Sequence, residues 1–238
     1  EICACLVGSE MCIRDRRNTK ESILEAQFTS GAGNWCTWMF GRDLVNWNNN
    51  FTWAKWVTPS RDLISAFKQE GDEVRFKESI VYYDCNWSNY YPSDNYPFMY
   101  KCRSANSSII KYRYADVLLL KAEALIMQDT PDLEGAADII DEVRDRAKLG
   151  ALPTSVRSNK NVLLNALLKE RRLELAFEGQ RWFDLVRLDK VEEVMNAVYA
   201  KDSGRKAQIY TFDKNSYRLP IPQSVIDAND KIHQNPGY

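Results

Sequence analysis

The sequence predicts a mainly α protein, a helical scaffold carrying long aromatic-rich loops, and three observations point there. From about residue 112 onward Leu, Ala, Glu and Arg dominate, and apolar side chains recur at helical spacing. Six of the seven tryptophans, Trp35, Trp38, Trp47, Trp53, Trp56 and Trp87, fall before residue 90. Around them Asn, Gly and Pro interrupt every regular period.

Residues 1–19 show neither a helical nor a strand period and no charged-then-apolar leader. The run Glu21 to Phe28 reads as a short strand or extended segment, and Gly31 to Pro59 as a loop region. Ser60 to about Lys68 reads as a helix, with Leu63, Ile64 and Phe67 on one face and Gly71 as the stop. A second aromatic loop follows from Tyr82 to Tyr100, punctuated by Pro92 and Pro97. It fits a binding wall and a packed loop equally well.

A helix from Tyr112 to Met127 is expected from Ala115, Leu118, Leu119, Ala122 and Leu125. Thr130 then offers an N-cap and Pro131 a first helical position for a second helix that keeps Leu133, Ala136, Ala137, Ile140, Val143 and Ala147 on one side. So short a link makes the two helices pack antiparallel, and the small residues between them are those used by close helix pairs of the tetratricopeptide kind. A third helix spans about Lys160 to Glu178, a shorter one runs through Trp182, Phe183, Leu185 and Val186, and another lies near Val191 to Tyr199. Trp182, flanked by helix-forming sequence, reads as core. Pro220, Pro222 and Pro236 make the tail extended and strap-like.

With 32 basic and 33 acidic side chains in 238 residues, the net charge is −1, so no basic excess exists to neutralise phosphates and nucleic acid is not an expected ligand. The longest aliphatic run, Val117 to Leu120, is far short of the roughly 20 apolar residues of a spanning helix. None of the six cysteines forms a C-x-x-C pair, so no metal site is expected. A Cys85–Cys102 disulfide fits an oxidising compartment, though spacing does not establish it. No glycine-rich phosphate loop or nucleophile elbow is present, and no cofactor is expected.

Several blocks resemble the SusD/RagB family of surface nutrient-binding lipoproteins. They are Arg113 to Leu125, Val143 to Ala147, Lys169 to Arg187, Leu219 to Asp230 and Gln234 to Tyr238, with Glu21 to Phe28, Pro59 to Phe67 and Glu70 to Phe76 upstream. The resemblance implies a tetratricopeptide-like scaffold, truncated at the N-terminus, in which residues 1–19 stand outside the family as an artefactual or disordered segment. Residues 20–238 then divide into a loop-rich ligand-binding insertion (20–110), a helical repeat region (111–200) and an extended C-terminal strap (201–238). It also implies a non-catalytic protein on the outward face of the outer membrane that delivers oligosaccharide to a SusC-like TonB-dependent transporter. Its membrane contact would be a lipid anchor in the missing N-terminal part; Cys3, Cys5 and Cys12 follow no apolar signal segment and are not assigned that role.

The residues themselves supply the matching chemistry. A pyranose ring has an apolar face of C–H groups that a flat aromatic covers, while amides bond its hydroxyls. Trp35, Trp38, Trp47, Trp53 and Trp56, with Asn48 and Asn49 among them, form such a set and are the expected ligand-binding residues. Two indoles each shielding some 60 to 80 Å² would contribute roughly 3 to 4 kcal/mol at about 25 cal/mol per Å². That corresponds to millimolar to micromolar affinity after losses. Glu170, Glu174 and Glu178 lie along one side of a helix, as a glycosidase pair would need, but the interleaved Arg171, Arg172, Arg181 and Arg187 favour structural ion pairs. The competing readings are a helical protein–protein adaptor and a binder of another nutrient such as peptide.

Overall fold

The computed structural model describes residues 21–28, 58–86, 88–101, 108–201 and 212–238. They fall into two compact units, residues 1–181 and 182–238.

In the first unit, strand β1 (Ser22–Ala26) pairs antiparallel with a strand at Ile109–Arg113, from Ser22 opposite Arg113 to Ala26 opposite Ile109. Helix α1 (Arg61–Glu70) has the expected face and stop but runs two residues past Lys68. Ser60 caps its first turn by accepting from the Leu63 amide, and Leu63, Ile64 and Phe67 are buried. Gly71, at φ 71°, returns its N–H to the Lys68 and Phe67 carbonyls, a left-handed cap that suits glycine.

Helix α2 (Glu73–Ser79) is not visible in the hydropathy pattern, because the residues it buries are Arg75 and Ser79 rather than an apolar stripe. Asp72 starts it by accepting from the Arg75 amide. The second aromatic stretch is a hairpin: β2 (Ile80–Tyr83) pairs antiparallel with β3 (Tyr96–Met99), from Ile80 opposite Met99 to Tyr83 opposite Tyr96. Strand β4 is the Ile109–Arg113 partner of β1.

Helices α3 (Tyr114–Met127) and α4 (Leu133–Arg146), the short α5 (Thr154–Arg157) and α6 (Lys160–Glu174) build the main core. Leu119, Ala122 and Ile126 of α3, Ala136, Ala137, Ile140 and Val143 of α4, and Leu163 and Leu167 of α6 form one fully buried cluster. Alanines at the α3–α4 contact let the two backbones approach, as the sequence leads one to expect.

The cap of α4 is displaced from the expected site. Asp132, not Thr130, accepts from the Gly135 amide at 2.9 Å, and Pro131 lies outside the helix. A Cβ on Gly135 would meet the Asp132 carboxylate at 2.3 Å, so a larger residue there would make the carboxylate shift. Helix α6 also stops at Glu174, earlier than expected. Lys101 Nζ and Arg113 Nη2 both donate to the Glu174 carbonyl at 2.8 Å, and Phe177 (φ 65°) and Gly179 (φ 82°) then turn the chain.

In the second unit, α7 (Arg181–Arg187) crosses the boundary between units and α8 (Val191–Lys201) follows. Trp182 is 36% exposed rather than core: its indole stands edge-on to Phe212 and Tyr217, 5.9 and 6.2 Å away. The Asn196 amide bonds both the N–H and the carbonyl of Phe212. After a 3-10 turn (Lys214–Tyr217) and the short α9 (Gln223–Asp227), the Gln234 amide bridges the N–H and carbonyl of Ile221. Among the described residues no helix is long and apolar enough to cross a membrane.

Candidate functional site

The expected ligand-binding residues Trp35, Trp38, Trp47, Asn48, Asn49, Trp53 and Trp56 all lie outside the described residues, as do Trp87 and Cys102. Cys85 is a buried free thiol. What the structure describes is the framework at the two ends of the tryptophan-bearing segment.

On the N-terminal side, β1 is tied down by Glu21. Its carboxylate accepts from the Ala115 amide at 3.1 Å and pairs with Arg113 at 3.2 Å, while its carbonyl accepts from the Tyr114 amide. Ser22 and Ser108 both donate to Glu25, joining β1 to the start of β4.

On the C-terminal side, residues 58–61 run against the hairpin. The Tyr91 hydroxyl donates to the Pro59 carbonyl at 2.7 Å, and the Tyr96 hydroxyl lies 3.1 Å from Thr58 Oγ1. Arg61 donates to the Tyr90 carbonyl and spreads its guanidinium over the Tyr90 and Tyr91 rings, 4.0 and 4.4 Å from their centroids. The aromatics of the hairpin pack on one another: Tyr90 and Tyr91 are T-shaped at 5.1 Å, Tyr91 and Tyr96 at 5.6 Å, and Tyr96 tilts onto Phe98 at 5.2 Å. Tyr96 and Phe98 are each only 2% exposed. The hairpin is therefore a packed element. Its signal in the sequence is two short aromatic-apolar runs on either side of a stretch rich in Asn, Ser, Pro and Asp.

Beneath both ends lies a buried ionic lattice centred on α6. Arg75 Nη1 reaches Glu170 at 2.6 Å and Glu174 at 3.0 Å, and its Nε reaches Asp72 at 2.5 Å. Arg113 holds Glu174 at 2.7 Å and Glu178 at 2.8 Å, and Lys101 also pairs with Glu178. Arg144 bridges Glu170 and Glu70, and Arg146 approaches Glu174.

The glutamate row thus has structural partners, but not the expected ones. The interleaved arginines point elsewhere: Arg171 to Asp116, Arg172 to Asp62, Arg181 to the Leu168 carbonyl and Arg187 to Asp184. Sequence separation hid the true cations, since helical spacing reveals which carboxylates share a face but not which distant residue meets them.

Burial opposes ionisation of Glu174, yet Arg113, Arg75, Arg146 and Lys101 together outweigh it and hold the carboxyl well below the usual carboxylate range. For Glu170 and Asp72 burial prevails over their cations and the carboxyls are pushed up. These acids are committed to ion pairs with buried cations. A cavity of about 160 Å³ beside Phe67, Gly71, Asp72 and Phe76 is below the roughly 300 Å³ of a typical ligand pocket. Among the described residues no group of three or more His, Cys, Asp or Glu could hold a metal ion.

The packed helix pair and the helix laid against it define the class of protein, a helical scaffold. The SusD family's sequence profile matches residues 99–238, more than half of the chain, and the chain belongs to that family. SusD-like protein P38 of Formosa agariphila is 43% identical over 99 residues, which is 39% of this chain and 19% of that protein. A solved laminarin binding SusD-like protein is 25% identical, with a TM-score of 0.65 over 96% of this chain and 52% of its own. Surface glycan-binding protein A from Bacteroides thetaiotaomicron is 19% identical, with a TM-score of 0.68 over 95% of this chain and 54% of its own. The chain therefore spans about a fifth of that curated relative and about half of each solved one. The mainly α, tetratricopeptide-like expectation holds.

Proposed function

We propose that the full-length protein binds oligosaccharide without turning it over, on the outward face of the outer membrane, and passes it to a SusC-like TonB-dependent transporter. In this reading Trp35, Trp38, Trp47, Asn48, Asn49, Trp53 and Trp56 supply the ligand surface. One observation carries it: a family member concentrates five indoles and several amides in residues 35–56, between two points anchored to its scaffold. A laminarin-binding protein of the same fold supports the choice of a glycan. The test is calorimetry of the full-length protein with laminarin and a panel of other soluble glycans, alongside Trp47→Ala and Trp53→Ala. Micromolar to millimolar binding that weakens at least tenfold in both variants is expected, since each indole face is worth about 1.5 to 2 kcal/mol. Tight binding of a peptide with none of any glycan would overturn it.

The helical adaptor is the second reading. Val117, Leu120 and Met127 leave an apolar stripe on α3 that is 44%, 40% and 53% exposed. It predicts that the tryptophan variants keep glycan retention, while a charge placed on the stripe, as in Val117→Asp, weakens complex assembly.

A further inference from the structure

We infer that Tyr91 and Tyr96 are positioning residues for the tryptophan-bearing segment: their hydroxyls, with Arg61, fix where residues 29–57 rejoin the scaffold. The inference rests on the reading of that segment as the ligand surface.

Three of the four residues from Thr58 to Arg61 are engaged by the hairpin. Thr58 meets the Tyr96 hydroxyl, the Pro59 carbonyl accepts from Tyr91, and Arg61 reaches the Tyr90 carbonyl and covers two rings. The fourth, Ser60, caps α1. Tyr96 also donates its single proton to Ser88 Oγ at 3.1 Å, so it accepts from Thr58 and is occupied in both roles. Pro59 is buried, with a fixed φ and no N–H, and its carbonyl finds its partner in the Tyr91 hydroxyl.

The groups doing the holding are themselves immobilised. Tyr96 lies in β3 opposite Tyr83 and is wedged between the Tyr91 and Phe98 rings. Packing alone would be served equally by phenylalanine at both positions. The hydroxyls are what connect a rigid hairpin to the two residues that follow the segment, and a segment held at its base loses less freedom when ligand arrives.

The experiment compares full-length wild type with Tyr91→Phe, Tyr96→Phe, the double variant and Tyr112→Phe, an exposed tyrosine of β4, as control. Laminarin is titrated by calorimetry, and hydrogen exchange of peptides covering residues 29–60 is followed without ligand. Expected are an unchanged far-UV spectrum, a Kd raised about three- to thirtyfold in the double variant as the hydrogen bonds to Thr58 and Pro59 are lost, faster exchange across 29–60, and no change in Tyr112→Phe. Kd and exchange both at wild-type values in the double variant, while Trp47→Ala still weakens binding, would overturn the positioning role and leave the ligand surface standing. If Trp47→Ala and Trp53→Ala leave laminarin binding intact, the ligand surface itself is wrong and the inference falls with it. If wild type does not retain laminarin, exchange alone decides: unchanged rates across 29–60 reject the clamp, and accelerated rates uphold it.

Discussion

Replacing Glu174 by glutamine keeps the shape of the side chain and removes one charge from the centre of the buried lattice. The carboxylate lies 2.7 Å from Arg113, 3.0 Å from Arg75 and 3.4 Å from Arg146, and all four side chains are about 5% exposed. In Glu174→Gln the three guanidiniums face a neutral amide whose NH2 end presents donors to donors. Removing one partner of a buried ion pair costs about 3 to 5 kcal/mol, because the other stays desolvated without compensation. At roughly 2 to 4 °C per kcal/mol for a protein of this size, the midpoint should fall by about 6 to 20 °C.

The assay is thermal and urea denaturation of the full-length protein, with Lys77→Ala as the comparison. That side chain pairs with Glu73 while 71% exposed, and its loss should cost under about 0.5 kcal/mol. The pH dependence gives an independent check. The folded-state carboxyl is depressed, so its stabilisation is present above the unfolded carboxylate range and is lost progressively as pH falls below it. Wild type should lose stability on acidification faster than Glu174→Gln, and the two curves should converge. A cost equal to that of Lys77→Ala, or parallel pH curves, would refute the claim that Glu174 anchors the lattice.

Other outcomes follow from the same contacts. Glu170→Gln should cost clearly less than Glu174→Gln in the same urea series, because burial already pushes the Glu170 carboxyl up and the charge removed is held less firmly. Asp132→Ala should lower stability by about 0.5 to 2 kcal/mol through loss of the α4 cap, whereas Thr130→Ala should be silent. Gly71→Ala should cost about 1 to 2 kcal/mol in the same melts, purely from its left-handed backbone, since a Cβ there meets nothing within 4 Å.

What the sequence made legible follows the range of the interactions involved. Helices α3, α4 and α6 declare themselves because Leu119, Ala122, Ala136, Ala137, Ile140, Val143 and Leu167 repeat with the helical period and are fully buried. Helix α2 does not, because its inward residues are the polar Arg75 and Ser79. The hairpin was masked by proline: Pro97 reads as loop punctuation but sits in β3 opposite Tyr82, which a two-stranded ribbon tolerates because one side of each strand has no ladder partner. The α4 cap falls at Asp132 rather than at the expected Thr130, two residues earlier, because it is the Asp132 carboxylate that meets the Gly135 amide.

The tryptophan set was legible as composition, whereas the framework beneath it was not. Glu170, Glu174 and Glu178 announce a shared face, yet their cations come from Arg75, 95 residues before Glu170, and Arg113, 61 residues before Glu174. No local pattern carries such pairings. They are selected because a buried carboxylate must find a cation wherever the fold brings one, and both of these come from the chain that follows the tryptophan-rich stretch. The lattice is therefore more than a core that happens to be polar. Glu21 and Arg113 hold the strand that precedes residues 29–57, and Asp62 and Arg172 hold the helix that follows them, so α6 supplies an ionic partner on each side, Glu174 through Arg113 and Arg172 directly.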